Sequence, residues 1–168
     1  MEIEKVLSDA NPFWRHAERH LWIARRNGQE VGRIAAILDQ VHERESGERC
    51  AFFGFFESID DSSVARALLD TAIRWATERR AVRIRGPFNP NINEECGLLV
   101  EGFDLPNAVM MPHNPPFYGR LIEEAGFTKA KDLVAFDLLL ADSPHARLIR
   151  LRDGLRRRSP GVELRSVT

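Results

Sequence analysis

The sequence predicts a mixed α/β (α+β) fold, with antiparallel hairpin strands followed by a helix-strand-helix-strand succession. Three observations carry this. Asn27-Gly28 stands between two apolar runs, and both residues tolerate the positive φ that a type I′ hairpin demands. Residues 29–40 (QEVGRIAAILDQ) and 49–57 (RCAFFGFFE) are apolar without alternation, as in strands covered on both faces. Residues 60–80 then repeat apolar side chains at helical period.

The first strand is expected over 21–26, before the Asn-Gly turn, and the second over 29–40. Ser46-Gly47-Glu48 reads as the next turn, leading into the strand 49–57. Gly54 sits mid-strand, where glycine marks a bulge or the close approach of another backbone. Asp60-Asp61-Ser62-Ser63 supplies N-cap chemistry for a helix to about Arg80, with Val64, Leu68, Ile73 and Trp75 on its apolar face. Ala81–Arg85 predicts a short strand ended by Gly86-Pro87. Residues 86–116 hold Pro, Asn and Gly in quantity and read as one long loop, with Leu98-Leu99-Val100 as a short strand inside it. A short helix is expected over 117–125 with Gly126 at C′, then a last strand over 129–140. Ser143-Pro144 is placed to start a basic amphipathic helix to about Arg158, and 162–167 to begin another strand.

The chain has 168 residues, 43% hydrophobic and 29% charged, enough for a core without disulfide staples. Cys50 and Cys96 lie far apart and form neither a disulfide framework nor a zinc-type pair, which points to a reducing, cytoplasmic setting. MEIEKVLSDANPF has no apolar signal core, and no apolar run approaches membrane-spanning length. A net charge of −1 gives no global attraction to nucleic acid, and without a spanning run a membrane is not an expected partner either.

The tracts GRIAAILDQ, FFGFFE, Asp60-Asp61, ALLDTA, RGPFNP, GLLVEGFD, MMPHNPPFY, Gly126-Phe127 and KDL fall in an order that resembles a subfamily of the GNAT acyl-CoA N-acyltransferase superfamily, from about Asn11 to Leu140. The resemblance implies a GNAT-like domain over 1–142, short of the usual N-terminal strand and helices, with 143–168 as a basic connector helix and tail. In that subfamily the chain is longer at both ends and usually carries a second such domain, whose opening strand GVELRSV resembles. The implied donor is acetyl-CoA or another acyl-CoA, and the implied acceptor a small-molecule amine. A second copy of the chain is the expected partner, as a homodimer covering any exposed apolar sheet face. The pantetheine arm would pair beside Gly54, in the stretch Phe53, Gly54, Phe55 and Phe56, and the pyrophosphate would meet the helix start at Ser62 and Ser63. The expected glycine-rich loop is replaced by Glu57-Ser58-Ile59-Asp60-Asp61, three carboxylates where phosphate would sit. Glu57 stands where the family's base does. Ile122 occupies the position of the usual acid, a tyrosine, and Tyr118 lies one turn earlier. The plainer roles are a capping or solvated carboxylate for Glu57 and a loop anchor for Tyr118.

The long loop gathers Asn89, Asn91, Asn93, Glu95, His113 and Asn114, suited either to a polar ligand or to turn formation. The spacing of Glu94, Glu95 and His113 matches no strong zinc or calcium pattern, so no metal is expected. Cys96 has no adjacent base to activate it. Residues 146–158 carry Arg147, Arg150, Arg152, Arg156, Arg157 and Arg158 beside a seam of Leu148, Leu151 and Leu155. They read as a connector helix with a solvated basic face; RNA and acidic lipid are the other readings.

The expected function is acyl transfer from acyl-CoA to a small amine, with a degenerate pyrophosphate loop. The alternative is a non-catalytic GNAT-like domain for dimerisation or polar-ligand recognition.

Overall fold

A computed structural model of the chain describes residues 3–136, 145–159 and 161. The chain divides into two compact units, Met1–Lys131 and Asp132–Thr168.

Unit one is built on a four-stranded sheet of order β1-β2-β3-β4, formed by β1 (Ala17–Arg26), β2 (Gln29–Asp39), β3 (Cys50–Ser58) and β4 (Arg83–Arg85). The first three strands are antiparallel neighbours, and β4 joins β3 in parallel. This is the mixed sheet that the sequence predicts. The hairpin turn has Asn27 at φ 52° and Gly28 at φ 81°, both positive as a type I′ turn needs. Along β2, Ile34, Ala36 and Leu38 enter one core cluster while Ala35 and Ile37 enter another on the opposite face. That two-sided burial is why its apolar run does not alternate.

The larger cluster is closed by α3 (Ser62–Glu78), whose buried residues are Val64, Ala65, Leu68, Leu69, Ala72, Trp75 and Ala76. Tyr118, Leu121 and Ile122 of α4 (Tyr118–Glu124) pack into the same cluster. The opposite face is covered near the N-terminus by α1 (Ile3–Leu7) and the 3-10 turn Pro12–Arg15, through Val6, Phe13 and Trp14. Gly126 adopts φ 97° just past the end of α4, as its predicted C′ role requires.

Several expectations are corrected. The turn at Ser46-Gly47-Glu48 is the end of a helix, α2 (Gln40–Ser46): the Asp39 carboxylate caps Val41 N–H at 2.8 Å, and Gly47 closes it at φ 69°. Leu98–Val100 is not a strand; the long loop instead pairs β5 (Phe88–Asn89) with β6 (Glu95–Cys96). Residues 129–136 are not a strand either, and Leu133, Val134 and Phe136 are exposed. β4 is only three residues long, so it offers little edge for further parallel pairing. The remainder of that expected strand, Ser143-Pro144 and the expected strand 162–167 lie outside the described residues. In unit two, α5 spans His145–Arg158. Among the described residues no helix is long and apolar enough to cross a membrane.

Candidate functional site

β3 and β4 remain paired from Cys50 with Arg83 to Phe52 with Arg85, after which the chain turns away at Gly86. From Phe53 onward the β4-facing edge of β3 meets the long loop instead. The register with β2 slips here: Ala35 opposes Gly54, but Arg33 opposes Glu57, leaving one extra residue on β3. Phe55 takes up the slack at φ 48°, a costly conformation for a bulky side chain. Gly54 meets both readings of a mid-strand glycine at once. It adjoins the bulge, and a Cβ placed on it would stand 1.6 Å from the carbonyl oxygen of Phe88.

Two backbone N–H groups on β3 are taken up by side chains from the loop and α4. The bulged Phe55 N–H donates to Asn89 Oδ1 at 2.6 Å. The Ser58 N–H donates to the phenol oxygen of Tyr118 at 3.2 Å. Tyr118 is buried edge-on against Phe56, ring centroids 5.2 Å apart. Burial pushes its phenol above the ordinary tyrosine range; the Ser58 N–H opposes this, and the charge of Glu57 adds to it. The phenol is therefore neutral at physiological pH, with a proton to donate. Glu57 is exposed and pairs with Arg33 Nη2 at 2.6 Å, as their strand register dictates. The phenol of Tyr118 thus meets the backbone of the residue that follows Glu57, near enough for the Glu57 charge to raise its pKa. Ile122, at the position usual for the acid, is buried in the core.

At the start of α3 the amides of Ser63 and Val64 are already capped. Asp61 Oδ1 accepts from the N–H of Ser63 at 2.8 Å and of Val64 at 3.3 Å, and from the Ser63 hydroxyl at 2.6 Å. Arg26 of β1 reaches Asp61 Oδ2 at 2.8 Å and Ser63 Oγ at 2.9 Å. Arg26, followed by the Ser63 contacts, holds the Asp61 carboxyl well below the usual range. Arg120 of α4 pairs with Asp60 and, at 3.1 Å, with Glu124, to which the Ser62 hydroxyl also donates at 2.5 Å. The carboxylates expected to repel phosphate are therefore ion-paired. Two of the amides that an anion would use here are occupied, and the negative charge beside them is balanced by arginines. Ser62 and Ser63 spend their hydroxyls on this network.

In the long loop most of the asparagines serve the chain itself. Besides receiving the Phe55 N–H, Asn89 donates to Glu95 at 3.4 Å. Asn91 Oδ1 accepts the Asn93 N–H at 2.8 Å, a side-chain turn. Asn114 is buried, accepting from Leu99 N–H at 2.7 Å and donating to the Pro115 carbonyl at 3.0 Å. Asn93 and His113 are exposed, whereas Asn114 is buried. Among the described residues no group of three His, Cys, Asp or Glu is placed to hold a metal ion.

Sequence reading missed Arg33, Arg26 and Arg120. Arg120 carried a local signal, its i,i+4 spacing to Glu124. Arg33 needed the bulged register and Arg26 the packing of α3 on the sheet.

No family model matches the chain. It is similar to Protein YghO of Escherichia coli (strain K12), 40% identical over 159 residues, 94% of this chain and 41% of that protein. It is also similar to a bacterial ceramide synthase of Caulobacter vibrioides (strain NA1000 / CB15N), 41% identical over 159 residues, 94% of this chain and 41% of that protein. The chain therefore spans about two-fifths of the curated relatives it matches. A crystal structure described as a probable acetyltransferase aligns with a TM-score of 0.40 and 16% identity over 77% of this chain and 72% of that one.

Proposed function

We propose that this chain is a GNAT-like N-acyltransferase domain that forms an amide on an amine bearing a long aliphatic chain, with an acyl thioester such as acyl-CoA as donor. The observation that carries this is the seat of the Tyr118 phenol on the Ser58 N–H, at the bulged end of β3 and within electrostatic reach of Glu57. The identity with a protein named a bacterial ceramide synthase supports the substrate class, because a ceramide is the amide of a long-chain amino alcohol. Glu57 takes the proton that the attacking nitrogen must lose. As the new C–N bond forms and the bond to sulfur breaks, the Tyr118 phenol supplies a proton to the departing thiolate and regains one from solvent. The Phe55 N–H is the donor available for the acyl donor's polar groups once Asn89 turns aside. A CoA diphosphate does not fit the α3 amides, which Asp61 holds; Arg26 and Arg120 are the nearby cations.

The test is amide formation from acyl-CoA and a long-chain amino alcohol, followed by mass spectrometry. Glu57→Gln and Tyr118→Phe should each lower the rate by about 10²-fold or more without loss of fold. Full activity in both variants, or no amide from the intact chain, would overturn the reading. The capped α3 start and the Asn89 plug favour a second reading, a non-catalytic half that dimerises or recognises a polar ligand. It requires that no amide form at all.

A further inference from the structure

We infer that α5 is a membrane-surface helix that docks unit two onto anionic lipid. Its 14 residues make a rod about 21 Å long. Leu148, Leu151 and Leu155 follow i, i+3, i+7 spacing and so share one face. They are 52%, 61% and 57% exposed. At 100° per residue, Arg152 and Arg156 flank that seam on one side and Arg147 and Arg158 on the other, with Arg150 and Arg157 opposite. The helix holds six arginines and a single acid, Asp153. Arg152, at 2.9 Å, is the chief cause of the depressed Asp153 carboxyl, with Arg156 and Arg157 adding to it.

A leucine seam bordered by arginines matches the two layers of a bilayer surface. The apolar face enters the acyl boundary, while the flanking guanidiniums reach up to phosphate headgroups. Single-stranded nucleic acid is the poorer fit, because stacking platforms interleave aromatics with basic residues and α5 has no Phe, Tyr or Trp. The charge asymmetry selects an anionic surface over a neutral one. The sequence leads to no expected membrane partner because no apolar run reaches spanning length, a requirement that a surface helix does not share. Membrane docking by α5 is independent of the acyl-transfer chemistry, which belongs to unit one.

Cosedimentation of the full 168-residue chain with vesicles tests it. The chain should pellet with phosphatidylcholine vesicles containing phosphatidylglycerol, stay in solution with phosphatidylcholine alone, and release as salt rises. Two variants keep good helix formers in α5: Leu148→Ala/Leu151→Ala/Leu155→Ala, and Arg147→Gln/Arg152→Gln/Arg156→Gln/Arg158→Gln. Each should lower the partition coefficient by about ten-fold or more while the melting transition of unit one is unchanged. Absence of binding to either vesicle, equal binding to both, undiminished binding by the alanine variant, or binding to RNA without binding to vesicles would each overturn it.

Discussion

The start of α3 and the bulged end of β3 both present backbone N–H groups outside regular pairing, and the chain satisfies them in opposite ways. At α3 the acceptor is a charged carboxylate, Asp61, itself fixed by Arg26. At β3 the acceptors are neutral, the amide of Asn89 and the phenol of Tyr118. A charged cap tied to an arginine resists displacement by an incoming anion, because two charges would have to separate. A neutral amide can exchange its hydrogen bond for a ligand's at little net cost. The difference makes the β3 amides the easier of the two sets for a ligand to capture and the α3 amides the harder.

Substitutions can break or sharpen that contrast. The largest effect is expected for Gly54→Val, since even a Cβ would overlap the Phe88 carbonyl. A loss of about 3 kcal/mol or more should appear in urea unfolding. Asn89→Ala should cost about 1–3 kcal/mol by leaving the Phe55 N–H without its acceptor. Tyr118→Phe strands the Ser58 N–H and should cost about 1–2 kcal/mol. It also carries a pH signature. The folded phenol ionises later than the unfolded one, so the unfolded state loses its proton first as pH rises past about 10. Stability present below that pH is then lost on the alkaline side, and Tyr118→Phe should flatten that limb of the melting profile.

Asp61→Asn works in the other direction. The Asp61 carboxyl is depressed in the fold, so its contribution exists above about pH 4 and fades as acid protonates it. Asparagine still caps a helix, so the variant should lose the acid-dependent part and retain most of the rest at neutral pH. Smallest of all, Glu57→Gln should change stability by less than about 1 kcal/mol, because the Arg33 pair is exposed. A carboxylate that matters to turnover and not to stability is the signature of a reacting group.

Local chemistry made much of this fold legible. Asn27-Gly28 fixed the hairpin, the two-sided apolar runs fixed β2 and β3, and Asp61 with the Val64–Ala76 face fixed α3. Gly54 was legible for the same reason, as a mid-strand glycine at a bulge and a close backbone approach. What escaped depended on distant partners or on brevity. α2 is a seven-residue helix whose cap and closing glycine were both present, yet its apolar content is too small to show a period. The Asn89 and Asn114 tethers act across the long loop onto Phe55 and Leu99, and nothing near them in sequence marks those partners. The run 129–136 has a strand's composition without a neighbouring strand to pair with among the described residues.

The most direct measurement is an amide-resolved NMR titration of the chain with an acyl-CoA. The account predicts that the Phe55 and Ser58 N–H resonances shift with a common affinity while those of Ser63 and Val64 stay in place. Shifts confined to Ser63 and Val64, with Phe55 and Ser58 unmoved, would contradict it.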